Sequence, residues 1–338
     1  MSEEQVPELA ALERFNLPEA QKELIAAHLR ALLPAEEQRR VSSGQLAERH
    51  RKRYWDHPAD WARDCLKWPE GQGLTSYQRE ILEQLPVVKR LAVAGPRGLG
   101  KTCLASIAIL WFVCTRDGYT DWIAPTTAGG YRQLEEFLFP ELHKWVRRLR
   151  WDRIGRAPWN PKSELMKLSL DGLTGHAFAA ASTRGDLIEG AHASQVLYVF
   201  DEGKAIEPST WDSVEGVFSN AGTRGREAFM LAISTPGGKE GRFWAIFENK
   251  EGAYNEWTTR HVKLQEVLNE QMISHDWVEK RANQWGSDSA LYKNHVLGEF
   301  AAPDEAGVIP CHWVEEAMLR SVDYDDSGIS VAGAGARS

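Results

Sequence analysis

The residues Gly95-Pro96-Arg97-Gly98-Leu99-Gly100-Lys101-Thr102 carry the spacing G-x-x-x-x-G-K-[ST]. Glycines at these positions let the backbone curl until successive N–H groups point inward at a β-phosphate. A following helix N-terminus adds partial positive charge, Lys101 reaches the β/γ oxygens, and Thr102 offers a hydroxyl to Mg²⁺. An apolar strand pattern precedes the motif and an apolar helix pattern follows it, so context and letters agree.

A phosphate loop needs a second, carboxylate element. The apolar run Val196-Leu197-Tyr198-Val199-Phe200 ends in Asp201-Glu202. Asp201 would hold the Mg²⁺ shell, and Glu202, one residue on, could polarise an attacking water. Hydrolases need that arrangement and small-molecule kinases do not.

Three weaker elements surround these two. In Thr75-Ser76-Tyr77-Gln78-Arg79 the Gln78 amide could pair with N6 and N7 of adenine while Tyr77 offers a stacking face, which predicts ATP over GTP. Ser234-Thr235-Pro236 follows an apolar strand and could sense the γ-phosphate. Arginines are the third: Arg97 lies inside the loop, Arg184 in Ser182-Thr183-Arg184-Gly185-Asp186 could serve a neighbouring subunit, and Arg224 and Arg226 are reserves. A well-placed guanidinium is worth some 10³–10⁵-fold in phosphoryl transfer.

The elements that must position these residues follow from periodicity. Tyr77 to Leu85 reads as a short helix, Arg90 to Ala94, Asp121 to Ala124, Val196 to Phe200 and Phe229 to Ile233 as strands, and Gly130 to about Arg150 as a long helix. Strands alternating with helices predict an α/β fold with a mostly parallel sheet flanked by helices. After Gly241 the pattern turns helical, at Val262 to Leu268, Asp276 to Trp285 and Ala290 to Val296. Ahead of the core, Leu17 to Leu33 has helical spacing, and a basic, tryptophan-bearing stretch from Arg49 to Trp68 reads as irregular.

The 338 residues are 43% apolar and 26% charged, which excludes a disordered or fibrous chain and allows two domains. A formal charge of −8 excludes a surface that coats nucleic acid throughout, so any such contact must be local. Lys144, Arg147, Arg148 and Arg150, in a segment interleaved with Trp145, Trp151 and Trp159, form a local basic patch, suited to phosphates rather than to base sequence. The start Met1-Ser2-Glu3-Glu4 lacks a secretory signal, and the longest apolar run, Cys103 to Cys114, is too short to span a membrane. The four cysteines and the histidines show no metal-ligand spacing.

From about Leu74 to Phe300 the sequence resembles the ATPase portion of the large terminase subunit of tailed bacteriophages. The resemblance rests on Tyr77-Gln78, on Gly95 to Thr102 with an arginine inside the loop, on Arg184-Gly185, on Asp201-Glu202, on Ser234-Thr235, and on Asn294-His295-Val296-Leu297-Gly298-Glu299-Phe300. It implies an additional-strand, RecA-like P-loop NTPase with a small helical lid. It also implies a homo-oligomeric ring, a pentamer in such proteins, that docks on the portal protein with the small terminase subunit. The ring would pump double-stranded DNA into a procapsid in the cytoplasm of an infected bacterial host. By that carry-over ATP and Mg²⁺ are the ligands, Glu202 is the catalytic base, Ser234-Thr235 couple hydrolysis to movement, and Arg97 and Arg184 compete as the arginine that completes the site.

The implied division is an N-terminal helical arm (1–73), the ATPase core (74–241), the lid (242–322), and a linker with the stub of a nuclease domain (323–338). Two departures from the family pattern stand out. Gly203-Lys204 follows the acid pair, where alanine is usual. Ile329-Ser330-Val331 places serine where a nuclease domain would carry its first metal-binding aspartate, so no nuclease activity is expected of this chain. A two-domain helicase would need a second core that the roughly 95 residues after Pro236 cannot supply, and an ATP-dependent assembly switch would have no need of Glu202.

Overall fold

The computed structural model describes residues 35–180 and 193–302, with a few positions between 18 and 28. Eight strands form one sheet: β1 (Arg90–Ala94), β2 (Trp122–Ala128), β3 (Leu165–Met166), β4 (Ser169–Asp171), β5 (Gly175–Ala179), β6 (Gln195–Asp201), β7 (Glu227–Ser234) and β8 (Thr258–His261). Their spatial order is β3-β4-β5-β2-β6-β7-β1-β8. All neighbours from β5 to β8 are parallel, and only the β3–β4 hairpin and its pairing to β5 are antiparallel. The chain is thus an α/β protein with a mostly parallel sheet, as expected. β7 is the additional strand, standing between β1, which leads into the phosphate loop, and β6, which ends in the acid pair.

The central strands are apolar on both faces because helices cover both. β2 and β6 are buried along their whole length, and β7 along all but its first residue. Register then fixes the site. Ala94 on β1 pairs with Ser234 on β7 and with His261 on β8, and Ile233 on β7 pairs with Asp201 on β6. Gly95, Glu202, Thr235 and Val262 therefore leave the sheet at one level, at the carboxyl ends of parallel strands, where such folds bind ligands.

Four helices matter to the site and its support. Ala35–Tyr54 is α1, Pro58–Cys65 is α2, Ser76–Val88 is α3 and Lys101–Arg116 is α4. Helix α4 is buried on every side from Leu104 to Arg116, which explains its apolar composition all round. It lies between the sheet and α1/α2: the Trp111 indole N–H donates to the Tyr54 carbonyl at 2.7 Å, and Tyr54, Trp61, Cys65 and Leu66 belong to the same core as β1 and α4.

Two expectations need correction. The stretch from Arg49 to Trp68 is helical, not irregular, over Arg49–Tyr54 and Pro58–Cys65. In α2 the buried residues Pro58, Trp61, Ala62 and Cys65 fall at i, i+3, i+4 and i+7 with proline in the first turn, a helical signal hidden among charges. The region after Gly241 is not purely helical, because β8 adds Thr258–His261 to the sheet edge beside β1. Its residues Thr258-Thr259-Arg260-His261 offer no apolar signal, and pairing with β1 makes the strand. The N-terminal helix expected at Leu17 to Leu33 lies mostly outside the described residues, and everything after residue 302 does so entirely. Among the described residues no helix is long and apolar enough to cross a membrane.

Candidate active site

The phosphate loop turns on Gly98 and Gly100, with φ of +85° and +83°. In that left-handed region a side chain is strained, and Gly100 in this conformation caps α4, so Lys101 begins the helix directly. The loop is held from outside. The Gly95 N–H donates to the Ser234 carbonyl at 3.3 Å, and the Arg97 N–H to the His295 carbonyl at 2.9 Å.

Lys101 and Glu202 meet across the site, with Nζ 3.3 Å from Oε1. The other carboxylate oxygen of Glu202 accepts from the Ser234 hydroxyl at 3.0 Å and the Thr235 hydroxyl at 3.2 Å. Glu202 itself has φ +51°, ψ +53°, a left-handed conformation that a non-glycine residue holds at a cost. That turn swings its side chain from the end of β6 across β7 toward Lys101. Burial pushes the Glu202 carboxyl up, and the charges of Lys101 and Lys204 with the Ser234 hydroxyl outweigh it. The net effect holds it below the ordinary glutamate range, as a carboxylate. A glutamate kept ionised and aimed by two hydroxyls is equipped to accept a proton from water.

Asp201 is the opposite case. It is 3% exposed, and burial first, then the negative charge of Glu202, push its carboxyl up to about 7. A buried carboxyl short of positive partners is what a hard divalent cation restores to its charged form, and hydroxyl and carboxylate oxygens are the donors that Mg²⁺ takes. Thr102 and Asp201 fit the ion in this respect and would hold it. When bound, Mg²⁺ would supply positive charge against the negative charge that develops in phosphoryl transfer.

Tyr77 and Gln78 lie against the back of the loop. Gln78 completes a capping box: Thr75 Oγ1 accepts from the Gln78 N–H, and Gln78 Oε1 accepts from the Thr75 N–H at 3.1 Å. Its amide Nε2 donates to the Leu99 carbonyl at 3.2 Å, and the Tyr77 hydroxyl donates to the same carbonyl at 3.1 Å. Tyr77 is 1% and Gln78 4% exposed, so neither offers a free edge or ring face to a base in this structure. Their bonds shape the loop instead.

The arginines separate. Arg97 is exposed on the loop. Arg184 lies outside the described residues. Arg224 and Arg226 precede β7, at the far end of an eight-residue strand from Ser234, and at ~3.3 Å per residue that puts them well over 20 Å from their own phosphate loop. They cannot complete this chain's own site.

The basic patch is only partly available. Lys144 is paired with Glu141 at 3.0 Å, and the Arg148 guanidinium lies over the Trp145 ring. Trp145 and Trp159 are buried core, not stacking platforms. Arg147 is exposed, and Arg150 lines a cleft of about 330 Å³ with Arg63 and Arg79.

Sequence reading missed three contributors. His261, whose ring nitrogen meets the Gly298 carbonyl, and Arg260, which binds Glu80 on α3 at 2.9 Å, come from the unrecognised β8. The segment Met272-Ile273 lies against Gly98 and Gly100. Apolar residues after a short helix give no local sign that they face a phosphate loop.

No family model and no curated protein matches this chain. Among solved structures, it is similar to the large terminase of bacteriophage HK97, at 12% identity and TM-score 0.54, over 72% of this chain and 55% of that one. It is also similar to the large terminase of a thermophilic bacteriophage, at 16% identity and TM-score 0.50, over 68% and 54%. The chain thus spans about half the length of these two proteins. With its phosphate loop, additional strand and acid pair at the carboxyl ends of three adjacent parallel strands, this chain has the α/β fold found in phage large terminases.

Proposed function

We propose that this chain is an ATP-hydrolysing motor subunit that translocates double-stranded viral DNA into a procapsid. The observation that carries hydrolysis is Glu202, held ionised in a left-handed turn between Lys101 and the Ser234-Thr235 hydroxyls. A nucleotide switch has no use for so costly a placement of a general base. Its likeness in fold to phage large terminases supports the coupling of hydrolysis to DNA packaging.

In this reading the phosphate loop and Lys101 bind the triphosphate, with Mg²⁺ on Thr102 and Asp201. Glu202 takes the proton of the attacking water, whose oxygen forms the new bond to the γ-phosphorus as the bridging oxygen leaves with ADP. Ser234 and Thr235, bonded to Glu202 at the end of β7, feel the change in charge. An arginine completes the site, Arg97 from the same chain or Arg184 from a neighbour in a ring. Exposed Arg147, with Arg148 and Arg150, contributes to the DNA surface. Portal protein and small terminase subunit are the partners of the assembled ring, docked on the procapsid within the infected cell.

The test is steady-state ATP hydrolysis per chain as a function of protein concentration, with Glu202→Gln as control. Specific activity that rises with concentration and vanishes in the variant supports the ring motor. Constant activity that still needs Glu202 favours a monomeric NTPase with Arg97 acting in cis, and hydrolysis unaffected by Glu202→Gln overturns the assignment.

A further inference from the structure

The direction in which a bound nucleotide must lie is set by the sheet. Glu202, Ser234 and Thr235 stand at the ends of β6 and β7, on one side of β1, and mark the end where the γ-phosphate is cleaved. The base must therefore leave the loop on the other side of β1, toward β8 and the segment beyond it. There the chain forms a short helix, Leu264–Asn269, then a turn with Gln271 at φ +55°, then Met272 and Ile273. Ser274 caps the next helix, His275–Trp285, by accepting from the Trp277 N–H at 3.2 Å.

This turn presses on the loop. Ile273 Cγ2 is 2.5 Å from where a Cβ on Gly98 would be, and Met272 Cε is 3.5 Å from the same point on Gly100. Ile273 packs into the core, but Met272 remains 41% exposed beside the start of α4. The turn is pinned on several sides. The Met272 N–H donates to the Val267 carbonyl at 3.1 Å, Glu270 accepts from the Ser76 N–H at 2.8 Å, and Arg260 clamps Glu266 and Glu80 together. A large apolar side chain left partly exposed on a pinned turn at the rim of a phosphate loop has a surface to offer, and thioethers pack well on aromatic rings.

We infer that Met272 is the shelf on which the purine ring of the bound nucleotide packs. This rests on the nucleotide reading above and deepens it. Because the Tyr77 hydroxyl and the Gln78 amide are already bonded to the Leu99 carbonyl, the base takes its contact from the segment after β8. Such a shelf grips a purine by its face, so it adds affinity without choosing strongly between adenine and guanine.

The test is calorimetric titration of the full chain, in a Glu202→Gln background, with Mg²⁺-ATP and with inorganic tripolyphosphate, which has the phosphates and no base. Met272→Ala should weaken ATP on the order of five- to tenfold and leave tripolyphosphate within twofold, while Met272→Leu keeps most of the ATP affinity. Equal weakening of both ligands would show that Met272 only props the loop, and no change in either would show that the base lies elsewhere. Each of those outcomes overturns the shelf alone. If the chain carrying native Met272 binds neither ligand, the nucleotide reading fails and the shelf falls with it.

Discussion

The Ser234 hydroxyl donates to Glu202 Oε2 at 3.0 Å, linking the last residue of β7 to the first residue beyond β6. Both bonds to that oxygen come from consecutive residues, so strand register aims the carboxylate. A hydrogen bond to a charged group is worth ~1.5–3 kcal/mol. Ser234→Ala should lower kcat by roughly 10- to 100-fold with KM for ATP little changed, and Glu202→Gln should cost a further order of magnitude or more. Steady-state kinetics separate the two effects. A raised KM with unchanged kcat in Ser234→Ala would mean that the hydroxyl serves binding instead.

Gln78 is expected to matter for folding of the loop more than for choice of base. Its side chain bonds the Thr75 N–H on one side and the Leu99 carbonyl on the other. Loss of a cap costs ~0.5–2 kcal/mol, and loss of a buried hydrogen bond a similar amount. Gln78→Ala should therefore lower stability by roughly 1–3 kcal/mol and weaken ATP and GTP alike. Denaturant unfolding with parallel nucleotide titrations checks this, and a selective loss of ATP would restore the adenine-reading role.

The phosphate loop, the acid pair and the strands that hold them were legible because each depends on local signals. Leu91 to Ala94 and Val196 to Phe200 are unbroken apolar runs ended by glycine or acid, and parallel buried strands must look so. What stayed hidden depends on tertiary contact. β8 has no apolar residue and is made by pairing with β1. The role of Gln78 turns on which backbone groups surround it, and Met272 meets Gly100 across more than 170 residues of chain. The Trp145 and Trp159 rings, read as partners of a basic face, are core because helix and loop geometry turn them inward.

Arg116 ends α4 with no exposed surface, its guanidinium lying over Trp55 at 4.1 Å and Trp111 at 4.7 Å. Burial, only partly offset by Glu227, pulls its pKa down to about 9. Glu227 Oε2 is 3.8 Å away, but Glu227 also receives Lys89 at 2.8 Å and the Trp55 indole N–H at 3.3 Å. Removing Arg116 thus does not strand Glu227, and most of the loss is packing. Arg116→Ala should cost about 3–5 kcal/mol and Arg116→Met markedly less, since a linear apolar chain fills the ring cage without desolvating a charge. Urea unfolding of both variants decides it. Equal losses would assign the energy to the guanidinium's polar partners, which are Glu227, the Trp55 carbonyl and the Thr115 hydroxyl.

His50 makes stability depend on pH in a defined window. Its Nε2 accepts from the Trp61 indole N–H at 3.1 Å, which requires the neutral ring, and burial followed by the Arg51 charge lowers its pKa from about 6.5 to about 4. The folded state therefore resists a proton that the unfolded state takes readily. Above pH 6.5 both states are neutral at this site and nothing is lost. Between about 6.5 and 4 the unfolded chain binds the extra proton, and stability falls as pH falls, by up to ~1.4 kcal/mol per unit and on the order of 3 kcal/mol in all. His50→Gln keeps an acceptor for Trp61 and has no charge to gain. The difference in unfolding free energy between the native chain and His50→Gln should be flat from pH 8 to 7 and shift toward the variant as pH drops from 6.5 to 4.5. Carboxylates titrate in both proteins and cancel in that difference. A difference that stays constant across the range would mean that His50 is protonated as easily in the fold as in water.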